Sequence, residues 1–256
     1  MEWGTEGTGD GQFNNPVGIA VASGGSVYVV EKSNDRIQKF TSAGVFVTKW
    51  GPQVGNNSGD GQFESPESVA VASDGSVYVA DAGNDRIQKF TSEGVFVTKW
   101  GEQRGAGDGQ FYEPVGIAVA SDGSVYVSES RNHRIQKFTS QGVFVTKWGT
   151  EGTGDGQFSN PYGVRVASDG SVYVADRGNH RIQKFTSAGV FISQWGTLGL
   201  GDGKFNNPHG IRVATDGSVY VADTMNHRIQ IFTSEGVFVT KWGTQGTGDG
   251  QFSEPK

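Results

Sequence analysis

The 256-residue chain has no cysteine, two methionines, seven prolines and four histidines. Without cysteine there is neither a disulfide frame nor a thiolate metal site, so packing and hydrogen bonds must hold the fold. No apolar run approaches the roughly 18 residues a membrane helix needs. The start, Met1-Glu2-Trp3-Gly4, lacks the charged and apolar regions of a signal peptide. A soluble domain without a membrane partner is expected, its compartment left open. Charged residues make up only 19% of the chain and the net charge is −6, a balance poorly suited to holding a phosphate backbone by counterion release. Against these shortages stand 41 glycines, more than double the usual share of about 7%. With 34% apolar and 11% aromatic residues, the chain can still build a core.

The glycines follow a repeat. Trp-Gly recurs at Trp3, Trp50, Trp100, Trp148, Trp195 and Trp242, in steps of 47, 50, 48, 47 and 47 residues. Length varies only between Trp and the following Gln-Phe, which marks that segment as a surface connection. Within a unit the pattern is strand after strand with no helical period. In the second unit Ser68–Ala72, Ser76–Asp81, Arg86–Thr91 and Val95–Trp100 are short runs rich in Val, Ile, Tyr and Phe. Asp74-Gly75 suits a type I′ hairpin, and Thr91-Ser92-Glu93-Gly94 closes another with its glycine at positive φ. No glycine is expected inside a strand, where it would weaken pairing.

In the last strand Phe96 and Trp100 share one face while Val95 and Val97 share the other, so the sheet is apolar on both sides. A repeated four-stranded sheet of this kind buries its faces against copies of itself arranged radially. The expected fold class is all-β: a β-propeller of four-stranded antiparallel blades. Five blades are expected, near residues 16–50, 66–100, 114–148, 161–195 and 208–242, in a single domain spanning 1–256. A six-bladed ring and an open or assembled ring are the alternatives.

The run Asn132-His133-Arg134-Ile135-Gln136-Lys137-Phe138, the Gly-Val-Phe-Val-Thr-Lys-Trp-Gly ending at Gly149, and Gly154-Asp155-Gly156-Gln157-Phe158-Ser159-Asn160-Pro161 resemble NHL repeats. The resemblance covers nearly the whole chain and implies a propeller, usually six-bladed. It says little about function. The near identity of the units is compatible with recent amplification or with construction from one consensus blade.

The segment 3–13 is repeated at 242–252, so the chain carries one linker more than five blades need. A closed ring with one redundant linker is expected, that copy being displaced, disordered or docked on another molecule. Self-association through the duplicated linker follows as a partner expectation.

Several recurrent residues read as framework. His133, His180 and His227 share a position with Asp35 and Asp85, after Asn residues expected to take positive φ and to let this position cap a turn. Arg36, Arg86, Arg134, Arg181 and Arg228 recur near Glu31, Asp81, Glu129, Asp176 and Asp223. If exposed, such ion pairs contribute about 0–1 kcal/mol. The Asp of Gly-Asp-Gly-Gln-Phe lacks the spacing of a calcium loop and reads as a turn residue. Lys49, Lys99, Lys147 and Lys241 read as protection of edge strands against aggregation.

The informative position is the residue after each Phe-x-x-Pro, expected at the mouth of a central channel: Val17, Glu67, Val115, Tyr162 and His209. These differ while their surroundings do not. Arg165 and Arg212 stand nearby where other units have Ala20, Ala70 and Ala118, and read as packed stems or as a grip for an anion opposite Glu67. The resemblance extends to amidating lyases that hold zinc through histidines at the Pro-His position, but here only His209 matches. Catalytic zinc keeps three protein ligands, so no metal and no cofactor are expected. It extends also to RNA-reading NHL domains, a use the acidic balance opposes. The sequence therefore favours a non-enzymatic binding scaffold with a protein or small-molecule ligand, with a metal-dependent lyase and an RNA reader as alternatives.

Overall fold

The computed structural model describes residues 3–51 and 57–256. Five four-stranded antiparallel sheets follow one another along the chain and form a β-propeller. Blade 1 comprises Pro16–Val21, Val27–Glu31, Arg36–Phe40 and Phe46–Trp50, and blade 2 Pro66–Val71, Val77–Asp81, Arg86–Phe90 and Phe96–Gly101. Blade 3 comprises Pro114–Val119, Val125–Glu129, Arg134–Phe138 and Phe144–Trp148. Blade 4 comprises Pro161–Val166, Val172–Asp176, Arg181–Phe185 and Phe191–Trp195, and blade 5 Pro208–Val213, Val219–Asp223, Arg228–Phe232 and Phe238–Trp242. The backbone divides into two units, Met1–Val127 with Phe138–Phe144, and Ser128–Lys137 with Val145–Lys256. The extra length between Trp50 and Phe63 falls mostly outside the described residues.

Each first strand starts earlier than its apolar run suggests, at Pro66 rather than Ser68. Proline needs no ladder donor at the first strand position, and a bulge absorbs the offset: Pro66 pairs with Asp81 and Ser68 already with Ala80. Glu67 is the extra residue. The glycine after the bulge thus lies inside the strand, contrary to expectation, and for a packing reason: a Cβ on Gly163 would sit 2.4 Å from the His209 carbonyl of blade 5. The Asp74-Gly75 connection is not type I′, which needs positive φ at both residues; only Gly75 has it, at 86°. The Gly75 N–H donates to the Ala72 carbonyl at 3.0 Å, making a type I corner followed by a left-handed glycine. Gly94 takes the positive φ assigned to it, 84°.

Neighbouring blades are joined by an aromatic socket. In the first unit Trp50, ending blade 1, lies 5.9 Å from Phe90 of blade 2, and Phe63 lies 5.5 Å from the same ring. A Cβ on Gly94 would stand 2.5 Å from the Trp50 ring, so only glycine fits beneath it. In the second unit Trp148 meets Phe185 at 5.8 Å and Trp195 meets Phe232 at 5.9 Å. Inner-strand residues fill the rest of each joint. Ala70, Tyr78 and Ile87 of blade 2 pack with Phe111, Ile117 and Phe138.

A buried polar block ties the linkers to their blades, and in it the recurrent arginine–carboxylate pairs lie out of solvent. Arg86 is 1% exposed and Asp81 fully buried. The Arg86 Nε donates to Asp81 at 2.7 Å, and its terminal nitrogens donate to the carbonyls of Ser58, Gly59 and Gln62 at 2.7–2.9 Å. Gln88 donates to the Gln62 carbonyl and accepts from the Gly61 N–H, while Asn84 donates to the Asn57 carbonyl and to Asp81. Arg181, Gln183, Asn179 and Asp176 repeat the arrangement in blade 4. Irregular linker backbone thereby finds partners for its polar groups. Burial outweighs these contacts at Asp81 and raises its pKa.

The linker aspartates are paired as well. Asp10 lies 2.7 Å from Lys49 and Asp60 lies 3.0 Å from Lys99, and Asp202 pairs with Lys241. Where blade 4 carries Gln194 instead of lysine, its amide donates to Asp155 at 3.2 Å. The outer lysines accordingly hold linkers, beyond any role in guarding a strand edge.

Both copies of the duplicated linker are seated, contrary to the expectation that one would be displaced. Thr5–Glu6 pairs in parallel with Gln12–Phe13, and Trp3 lies 4.6 Å from Phe40 and against Gly44, the place Trp50 takes on blade 2. At the other end Gln245 bridges Phe252 and the Thr224 hydroxyl donates to the Pro255 carbonyl at 2.8 Å.

Candidate functional site

Because the residue after the proline sits in the bulge, it leaves the regular ladder and varies without disturbing the blade. In the first unit it is Val17, half-buried, Val115, 5% exposed, and Glu67, 8% exposed. Glu67 forms an ion pair with Lys32, directly after the second strand of blade 1. A buried carboxylate needs such a partner. Lys32 thus supplies the opposite charge to Glu67.

In the second unit the same position brings two rings together. Tyr162 and His209 lie with centroids 3.6 Å apart and planes tilted by 37°. His209 is buried and Tyr162 half-buried. The Ser128 hydroxyl donates to the Tyr162 carbonyl, and the Arg177 guanidinium lies 5.8 Å from the tyrosine ring, within cation–π reach. Arg165, half-buried, continues the strand from Tyr162, and Arg212 occupies the matching place in blade 5, exposed. Burial, with the Arg212 charge second, pushes the Arg165 guanidinium down to about 9, so it remains cationic at neutral pH. Aromatic faces beside guanidinium groups suit a ligand that offers a planar or apolar group together with negative charge.

Sequence reasoning missed Lys32, Arg177 and Ser128, though a signal was present. The position after each recurrent acidic residue reads Lys32, Ala82, Ser130, Arg177 and Thr224, varying inside a constant frame as the proline-adjacent position does. Ser128 likewise stands where the others have Val30, Ala80, Ala175 and Ala222. In the first unit Lys32 reaches the proline-adjacent residue of the next blade, and in the second Arg177 reaches that of its own. Within each unit the two variable sets thus meet.

The recurrent histidines are elsewhere and do structural work. Positive φ falls on the Asp/His position itself, 50–55°, and not on the preceding asparagine. Nδ1 of His133 accepts from the Asn160 N–H at 3.1 Å and Nδ1 of His180 from Asn207 at 3.0 Å, while the Asp85 carboxylate accepts from Glu113 at 2.8 Å. Each is an acceptor clasping the backbone just before the next blade's proline, not a cap on its own turn. Aspartate and neutral histidine interchange there because both offer an acceptor. Among the described residues no three His, Asp or Glu side chains come together in a way that could hold a metal ion.

A family model for the NHL repeat matches residues 13–40, 63–90, 111–138, 158–185 and 205–232. Protein lin-41 of Caenorhabditis elegans is 43% identical over 49 residues, 19% of this chain and 4% of that protein. The chain therefore spans a small part of that relative's length. Among solved structures, a streptogramin B lyase superposes with a TM-score of 0.67 at 19% identity, covering 91% of this chain and 70% of that one. A nidogen/laminin complex matches with a TM-score of 0.65 at 16% identity, covering 88% and 79%. These likenesses concern the fold, and five family-model matches over more than half the chain, each ending on a blade's third strand, place this protein in the NHL-repeat family.

Proposed function

We propose that the protein is a non-enzymatic binding scaffold that takes its ligand at the proline-adjacent residues of blades 4 and 5, with the Tyr162–His209 pair as the anchor. The observation that carries this reading is the 3.6 Å ring contact beside Arg177, at positions that vary within an otherwise constant repeat. Aromatic and arginine side chains dominate binding energy in recognition sites. Arg165 and Arg212 supply positive charge, so the favoured ligand is a peptide or small molecule carrying carboxylate and aromatic groups.

A metal-dependent lyase is the second reading, favoured by His209 at the Pro-His position and by the streptogramin B lyase fold match. Elemental analysis of purified protein separates the two. The scaffold reading expects no stoichiometric zinc, and one zinc per chain lost on His209→Ala overturns it. Binding itself is tested on an array of random octapeptides. Acidic–aromatic peptides should be retained and lost at least tenfold on Tyr162→Ala; retention unchanged by Tyr162→Ala and His209→Ala removes the site.

A further inference from the structure

The linker entering blade 5, residues 196–207, has the backbone of the other linkers but not their side chains. Leu198 bridges Phe205 as Arg104, Glu151 and Gln245 bridge Phe111, Phe158 and Phe252. The buried Arg228 donates to the Leu200 and Gly201 carbonyls at 2.7 and 2.8 Å, and Asn226 donates to the Gly199 carbonyl at 2.9 Å. Leu198 stands where the other bridges have Glu6, Arg104, Glu151 and Gln245, and Leu200 where other linkers have Thr8, Ser58, Ala106, Thr153 and Thr247. Leu198 is 60% exposed and Leu200 76%. Met225, 42% exposed, replaces Ser33, Gly83, Arg131 and Gly178, and its N–H donates to the Asn206 carbonyl of this same linker at 3.1 Å. Three large apolar side chains thus meet solvent around one pinned stretch of backbone, all within the second unit.

A fourth departure costs the linker a hydrogen bond. Gln12, Gln62, Gln110, Gln157 and Gln251 each accept, through Oε1, from the N–H of the glycine three residues earlier at 2.9–3.0 Å. Blade 5 has Lys204 there, and lysine offers no acceptor. Its stem lies where the glutamines lie, since a Cβ on Gly199 would stand 2.7 Å from the Lys204 Cδ. The side chain is exposed, and the linker's one carboxylate, Asp202, is already paired with Lys241. Relative to blade 4's linker the charge rises by two, one from the loss of a glutamate and one from the gain of this lysine. Exchanging an internal hydrogen bond for exposed apolar surface and positive charge does nothing for the fold, but it suits a partner.

We propose that Leu198, Leu200, Lys204 and Met225 form a docking surface for an extended peptide segment of a partner protein, one that sets a carboxylate for Lys204 among bulky apolar side chains. Exposed apolar groups clustered within a polar surrounding mark such interfaces, and the added positive charge selects an acidic segment over a basic one. Backbone already held by Arg228 and Asn226 spares the ordering cost of a mobile loop. From Lys204 the chain runs through Asn206 and Asn207 directly to Pro208 and His209, so the surface continues the Tyr162–His209 site. The ligand's class rests on the function proposed for that site, whereas the place of the surface rests on the four departures.

Leu198→Glu with Leu200→Thr and Lys204→Gln gives blade 5 the linker that already serves blade 4, so the triple variant keeps the fold. On an array of random dodecapeptides, those retained by the wild type should carry Asp or Glu next to Leu, Ile, Phe or Met, and the triple variant should retain them at least tenfold less. Unchanged retention by the triple variant overturns the proposal; if Tyr162→Ala still lowers it, the Tyr162–His209 anchor stands without this surface. Loss on the triple variant with none on Tyr162→Ala supports the surface and removes that anchor. Binding to phosphatidylserine vesicles that the triple variant abolishes, with no peptide retained, assigns the surface to lipid and overturns the peptide.

Discussion

Blades 2 and 5 are built from nearly the same sequence but differ in what covers them. In blade 2 the first-strand Val69 and the second-strand Tyr78 are 1% exposed, each packed by an adjacent blade. In blade 5 Ile211 is equally buried, yet Tyr220 is half-open and Trp242 is exposed. The intrablade ladder is the same in both, with Asp81 opposite Arg86 and Asp223 opposite Arg228. What a repeat encodes is thus a blade plus half of two joints, and its burial depends on whether the second half of each joint is supplied.

That contrast is open to direct attack. The largest effect is expected at Arg86→Ala, which strips four hydrogen bonds from a buried block and leaves Asp81 without its cation. Urea denaturation should report a loss of about 3–5 kcal/mol. Trp50→Ala should cost roughly 3–4 kcal/mol by emptying the socket over Phe90, whereas Trp242→Ala, at a side chain already 42% exposed, should cost about 1 kcal/mol or less. Equal losses at the two tryptophans would break the contrast between the two blades.

Smaller still is the pH signature, which separates buried block from exposed turn. Asp81, raised by burial, disfavours folding as pH climbs from the ordinary aspartate value near 3.8 through its native value. Asp74, lowered by the hydrogen bond from the Ser76 N–H, contributes stability above that ordinary value and loses it as pH falls through its depressed native pKa. Carboxyl NMR titration should place the two on opposite sides of 3.8.

The repeat and the four strands per unit were legible because strand runs and turn glycines recur at a fixed period. The Arg86–Asp81 proximity was also legible, but not its burial. Charged residues flanking a turn ordinarily point to solvent; here the linker folds back over them, and the partners Ser58, Gly59 and Gln62 are backbone carbonyls that leave no mark in side-chain identity. The candidate site was half visible. Tyr162 and His209 stood out as variation inside a constant frame, whereas Lys32, Arg177 and Ser128 vary at the end of the second strand or just after it, and only the fold brings Lys32 to Glu67 and brings Arg177 and Ser128 to Tyr162.

The sequence by itself determined the architecture, since local turn chemistry and two-faced apolar strands leave a radial stack of sheets as the economical solution. Only the tertiary structure decided which polar groups are buried, which linker copy sits on which blade, and that Glu67 pairs with Lys32 while the Tyr162 and His209 rings meet. Those outcomes depend on contacts between segments some 25–50 residues apart, whose energy comes from desolvation and geometry and is written in no single repeat.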